Sequence, residues 1–109
     1  MVKIHLFSGF ESERLKIKRD TPLGHLYSDS NKEELIEAAR LVGVNPAYIQ
    51  HKRGFYHFDL WGKPLIKARL FYTRASNREI YRDMQSVTKR INIQEDTDAS
   101  LYERPLVEV

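Results

Sequence analysis

The chain has 109 residues, a length that suits one domain and leaves no room for two independent cores. Its 41% hydrophobic and 30% charged residues allow a continuous interior under a charged surface, which argues against disorder of the whole chain. The absence of cysteine excludes disulfides, thiolate-bound zinc, iron–sulfur clusters and thiol nucleophiles, while a net charge of +3 leaves an anionic partner open without requiring one. No run approaches the roughly 18 apolar residues of a membrane span and nothing reads as a leader, so a cytoplasmic protein with no membrane partner is expected.

In chain order, Val2, Ile4 and Leu6 alternate with Lys3, His5 and Phe7, the period of a strand with one buried face. Leu15 and Ile17 alternate with Lys16 and Lys18 and read as a short edge strand. Residues 24 to 28 read as another strand leading into a helix start, where Ser30-Asn31-Lys32-Glu33 has the spacing of a capping box. Leu35, Ala38, Ala39 and Val42 fall on one face of a helix from about Asn31 to Val42, with Gly43 placed to end it in the left-handed conformation.

Asn45-Pro46 signals a second, very short helix, and His51-Lys52-Arg53-Gly54 reads as a basic turn. Phe55 to Trp61 has strand composition, with Tyr56, Phe58 and Leu60 on one side and Phe55, His57, Asp59 and Trp61 on the other. Pro64 opens a short helix through Leu65 and Ala68 that overlaps a competing strand reading at Leu70 to Thr73. Ser76 or Asn77 caps a helix carrying Ile80, Met84, Val87 and Ile91 at helical spacing. The result is one α+β domain over residues 1–92, a small mixed sheet covered by two or three helices, followed by an acidic tail over 93–109.

The candidate chemistry centres on His57 and Asp59, whose side chains leave a strand on the same side. Imidazole and carboxylate together can bind a divalent metal, position a water or hold a base in its working tautomer. Two ligands are too few for a metal, and His25 and Asp29 are the best candidates to complete the set of His25, Asp29, His57 and Asp59. The commoner fate of a His-x-Asp pair on a strand is a hydrogen-bonded structural pair. Phe55 and Trp61, on the same face, give the pair the aromatic walls of a ligand pocket, although an aromatic core cluster has the same pattern.

Lys52 and Arg53, flanked by Tyr48 and Phe55, mix cations with aromatic rings as phosphate and base contacts require, whereas an ordinary surface loop has the same composition. His5 reads as an exposed strand residue rather than a ligand. No glycine-rich dinucleotide loop, Walker loop, nucleophile elbow or His-Glu-x-x-His sequence is present.

His25-Leu26, then Asp29 with Glu33-Glu34-Leu35, then His57-Phe58-Asp59 and Ser76-Asn77-Arg78-Glu79 together resemble a small bacterial and phage family of domains of unknown function. That family carries a His-Leu before an acidic helix start, a His-Tyr-Asp triplet and a late Arg-Glu. The resemblance spans roughly residues 1 to 85 and marks His25, His57, Asp59, Arg78 and Glu79, but implies no activity. Phe58 stands where the triplet has Tyr, so any role for that hydroxyl is lost unless Tyr56 supplies it.

Three functions follow as expectations. The first is binding of a phosphate-bearing ligand, a nucleotide or nucleic acid, through Lys52, Arg53, Phe55, Trp61, Arg78 and Glu79 beside the His/Asp cluster. The second is phosphodiester hydrolysis by His25, His57 and Asp59, either with a divalent metal or by acid–base chemistry; the third is a protein-interaction module using the acidic tail.

Overall fold

The alternation of Val2 and Ile4 with Lys3 and His5 builds the first strand, β1 (Val2–Phe7), with its two faces buried in different surroundings. The computed structural model describes residues 1–52 and 54–87. After β1 come β2 (Leu23–Ser28), α1 (Lys32–Leu41), a 3₁₀ turn (Pro46–Tyr48), β3 (Gln50–Lys52), β4 (Phe55–Leu60), α2 (Gly62–Phe71) and β5 (Thr73–Ala75). A third helix, α3, opens at residue 77 and is described through residue 87. The strands form one five-stranded mixed sheet in the order β3-β4-β2-β1-β5, antiparallel throughout except between β1 and β5. The α+β class holds, with helices on both faces of the sheet. No helix among the described residues is long and apolar enough to cross a membrane. The boundary near residue 92, Ile91 and the acidic stretch 93–109 lie outside the described residues.

One face packs Val2, Ile4, Leu26, Phe58 and Leu60 against Leu35, Ala38 and Ala39 of α1 and Leu65 and Ala68 of α2. The other packs Tyr27, Phe55 and Ala75 against Ile80 of α3, with Met84 and Val87 behind it. Gly24 lets α2 come down onto the sheet, because a Cβ there would lie 2.6 Å from Leu65 Cδ1 and 2.8 Å from Ile4 Cδ1.

Helix α1 starts one residue later than the Ser30 capping box predicts. Asn31 is the cap, its Oδ1 accepting the Glu34 amide at 2.7 Å. The Ser30 hydroxyl is committed elsewhere, donating to Asp29 and accepting from the N-terminal ammonium, and this frees the next polar residue for the role. The end follows expectation: Gly43, at φ 86°, donates to Arg40, and the Val44 amide donates to Ala39, the paired bonds of a Schellman motif.

Two local readings are corrected and one left between helix and strand is decided. Leu15 to Lys18 is not a strand: the chain reverses between Ser12 and Ile17, which exchange both backbone hydrogen bonds at 2.9 Å, with Lys16 left-handed at φ 58°. Ile17 is buried and Leu15 is not, so the apparent alternation came from a turn. The stretch expected as a basic turn begins as strand, since His51 and Lys52, with Gln50, pair with β4, and the chain turns at Gly54; residue 53 lies outside the described residues. At Leu70 to Thr73 helix prevails through Phe71, and the strand begins at Thr73 beside β1.

Lys3 fixes α3 to the sheet. Its ammonium is buried and lies 2.7 Å from Glu79, 2.9 Å from Asp83 and 3.2 Å from Asp29. Burial pulls its pKa down, but hydrogen bonds to Glu79, Asp83 and Asp29 outweigh that and hold it above the ordinary lysine value. The Tyr27 hydroxyl donates to the same Asp83 oxygen at 2.8 Å. Replacing Lys3 with Met strands these carboxylates together, and urea unfolding should show a loss of about 3 kcal/mol. Adding Asp83→Asn to that variant should recover part of the loss; an unchanged midpoint in Lys3→Met would show that the network contributes nothing.

Candidate metal centre

Directly paired residues of neighbouring strands share a face, so the register decides which side chains meet. On the α3 side of the sheet one row reads Asp59 on β4, His25 on β2 and His5 on β1. The adjacent row reads Gln50 on β3, His57 on β4, Tyr27 on β2 and Lys3 on β1. The candidate chemistry therefore lies in two neighbouring rungs of one sheet face, partly covered by α3.

His25, His57 and Asp59 each offer one ligand atom, and all three atoms lie within 4.8 Å of one another. His25 Nε2 is 3.5 Å and His57 Nε2 3.7 Å from the same oxygen, Asp59 Oδ1. That oxygen is buried and accepts no hydrogen bond from the described residues, and His57 Nδ1 likewise has no partner among them. Gln50 Nε2 donates to the other oxygen, Asp59 Oδ2, at 3.1 Å, which leaves Oδ1 facing the two imidazoles. Ligands of a tetrahedral zinc stand about 3.3 Å apart at the usual bond lengths, so both His–Asp separations are within a few tenths of an ångström of that spacing, and closing on a cation requires the three atoms to draw together from within 4.8 Å. Two imidazole nitrogens and one carboxylate oxygen suit zinc, iron or manganese better than magnesium or calcium, which prefer all-oxygen shells.

His25 is clamped face to face by Phe7, with ring centroids 4.1 Å apart, and edge-on by His57. Burial pushes its pKa down to about 4; the Asp59 carboxylate opposes that shift, while His57 and His5 reinforce it. The imidazole is therefore neutral at neutral pH, the form that can bind a metal or take up a proton.

The structure brings together three of the four proposed ligands and separates the fourth. Asp29 accepts from the N-terminal ammonium at 2.7 Å and pairs with Lys3, and the first of these bonds holds its pKa down at about 2. It is a structural anion, and its expected place among the metal ligands is withdrawn because its charge is already matched. Glu79 is likewise engaged by Lys3, and Arg78 is exposed on α3. Phe55, at 4% exposure, is a core residue packed on Tyr27, so it cannot stack on a base. Trp61 is 37% exposed and Lys52 is exposed, while Arg53 lies outside the described residues.

His5, read from sequence as an exposed strand residue, is buried at 9% exposure. It contacts His25 through the two Nδ1 atoms at 3.2 Å and Asn77 Oδ1 through Nε2. Sequence reasoning also missed Phe7, Gln50 and Lys3. The only available signal was that Lys3, His5 and Phe7 share a strand face, and that signal says nothing of which strand lies alongside.

Comparison with known proteins adds no relative: no family model matches the chain, and no curated protein or solved structure matches it.

Because the His25 pKa is lowered in the fold, the unfolded chain takes up a proton at this residue between pH 6.5 and about 4 while the metal-free fold does not. The contribution of neutral His25 is complete above pH 6.5, declines as pH falls and stops declining below about 4. Thermal melts of metal-free protein should show this slope, and His25→Asn should flatten it. A slope identical in wild type and variant would place the proton uptake elsewhere.

Proposed function

We propose that this chain is a divalent-metal-dependent hydrolase of phosphodiesters, with His25, His57 and Asp59 holding the cation. The observation that carries the reading is the convergence of two imidazole nitrogens on one buried carboxylate oxygen that has no hydrogen-bond donor among the described residues. Three protein ligands leave coordination positions open, as in hydrolytic rather than purely structural sites. A cation held there supplies Lewis acidity and a nucleophile from water at neutral pH. His25 is kept neutral by burial and in place by Phe7, and Gln50 orients the Asp59 carboxylate. The phosphate-bearing substrate class, a nucleotide or nucleic acid in the cytoplasm, is favoured by the net charge of +3 and by the cations of the middle of the chain.

Phosphate binding without turnover is less well supported, since among the described residues of its predicted surface it loses Phe55 to the core and Glu79 to Lys3, and retains Lys52, Trp61 and Arg78 as exposed groups. A protein-interaction role would rest on the acidic tail, which lies outside the described residues.

Calorimetric titration with Zn²⁺ or Mn²⁺ at neutral pH should show one site in the wild type and none in His57→Ala or Asp59→Ala. Hydrolysis of bis(4-nitrophenyl) phosphate should require the metal and disappear in both variants. Wild-type protein that takes up neither cation, or variants that bind as well as wild type, would sink the reading.

Asp59→Asn separates a metal site from a structural ion pair by a different route. An amide can donate to the bare imidazole nitrogen, so the metal-free melting midpoint should rise by an amount worth about 1 kcal/mol while metal uptake is lost. A structural His–Asp pair predicts a lower midpoint instead.

A further inference from the structure

His5 and Asn77 lie outside the proposed ligand set, and yet they connect to it through an unbroken line of ring nitrogens. The His5 and His25 rings are within 2° of parallel with centroids 5.4 Å apart. That separation is one ring radius at each end plus the 3.2 Å between the two Nδ1 atoms. The rings therefore lie edge to edge in nearly one plane, the arrangement of an N–H···N hydrogen bond. One proton must lie between the two nitrogens, because two bare lone pairs repel and two N–H groups collide.

Which ring carries that proton follows from the far side of His5. Its Nε2 meets Asn77 Oδ1, which accepts and cannot donate, so Nε2 carries a hydrogen. In neutral His5 the Nδ1 atom is then an acceptor, and the shared proton belongs to His25 Nδ1. A neutral His25 protonated at Nδ1 is bare at Nε2, the nitrogen 3.5 Å from Asp59 Oδ1.

The geometry points to a tautomer relay, Asn77 to His5 to His25, that keeps His25 Nε2 unprotonated and aimed at the metal position. His5 and Asn77 are positioning residues: they touch the ligand histidine and not the cation. The inference rests on the metal reading of the site and adds its control element. Asn77 is a residue of α3, and Ser76, not Asn77, caps that helix by accepting the Glu79 amide at 3.1 Å. The Asn77 amide is thereby free to serve His5, and the seating of α3 on Lys3 sets the state of a ligand two strands away from the sheet edge. Metal affinity and α3 docking are consequently linked, each strengthening the other.

The test is nitrogen-15 NMR of histidine-labelled full-length protein without metal, followed by Zn²⁺ titration of the same samples. Wild type should show His5 protonated at Nε2 only and His25 at Nδ1 only. Asn77→Leu removes the acceptor without touching the cap; it should shift His25 toward the Nε2-protonated form and weaken zinc binding about 10- to 100-fold. Asn77→Asp keeps an acceptor at that position and should retain the wild-type tautomer. His25 protonated at Nε2 in the wild type, His5 doubly protonated at neutral pH, or an unaltered His25 tautomer in Asn77→Leu would each overturn the relay, whatever the zinc result. The expected tautomers in a protein that takes up no zinc would leave the relay standing and bring down the metal reading instead.

Discussion

The antiparallel register that sets His25 opposite His5 on one side and Asp59 on the other is the constraint from which the site, the second core and the seating of α3 all follow. Side chains alternate across a strand, so a slip of one residue between β2 and β4 would turn His57 and Asp59 into the α1–α2 core and expose Phe58 and Leu60. The register is held by that penalty. It is held further by Gly24, where Leu65 and Ile4 close over the backbone of β2. Polar groups that would be costly alone are thus carried into a half-buried row by the burial of their apolar neighbours on the opposite face.

The second face of the sheet divides its tasks between two regions. Around Lys3 the polar groups are matched with partners: one ammonium meets three carboxylates, and a phenol donates to one of them, so the region locks α3 in place. Around Asp59 they are not matched, since a buried carboxylate oxygen faces two imidazoles without a donor among the described residues. An unsatisfied buried acceptor costs on the order of 1–3 kcal/mol, and a fold tolerates that where the surrounding structure over-determines it. Here the satisfied Lys3 network and the two apolar clusters supply that surplus, and Phe7 and Gln50 prevent the strained groups from turning away. This contrast distinguishes the Asp59 region as a place for a ligand from the Lys3 region as a place for a helix.

The sequence by itself determined most features that depend on near neighbours in the chain. The α+β class, the span of α1, its Gly43 ending, the Asn45-Pro46 start and the two faces of β4 all follow from capping chemistry and from periods of two and 3.6. The pairing of His57 with Asp59 was legible for the same reason, because residues two apart on a strand share a side. Errors arose where local patterns were degenerate: a turn at Ser12 to Ile17 imitated alternation, and Ser30 and Asn31 both offered a cap.

Only the tertiary structure decided which strands lie side by side, and that choice made the site. His25 joined His57 and Asp59 because β2 pairs with β4, and His5 joined them because β1 pairs with β2 on its other edge. Asp29 was excluded although it lies on the same strand face, because two more rungs along the sheet it meets Lys3 and the N-terminal ammonium. Phe55 became core once α3 settled over it. Alternation tells which side of a strand a residue occupies, but strand order and register are set by the summed burial of all the strands and helices together, and no single segment carries that information.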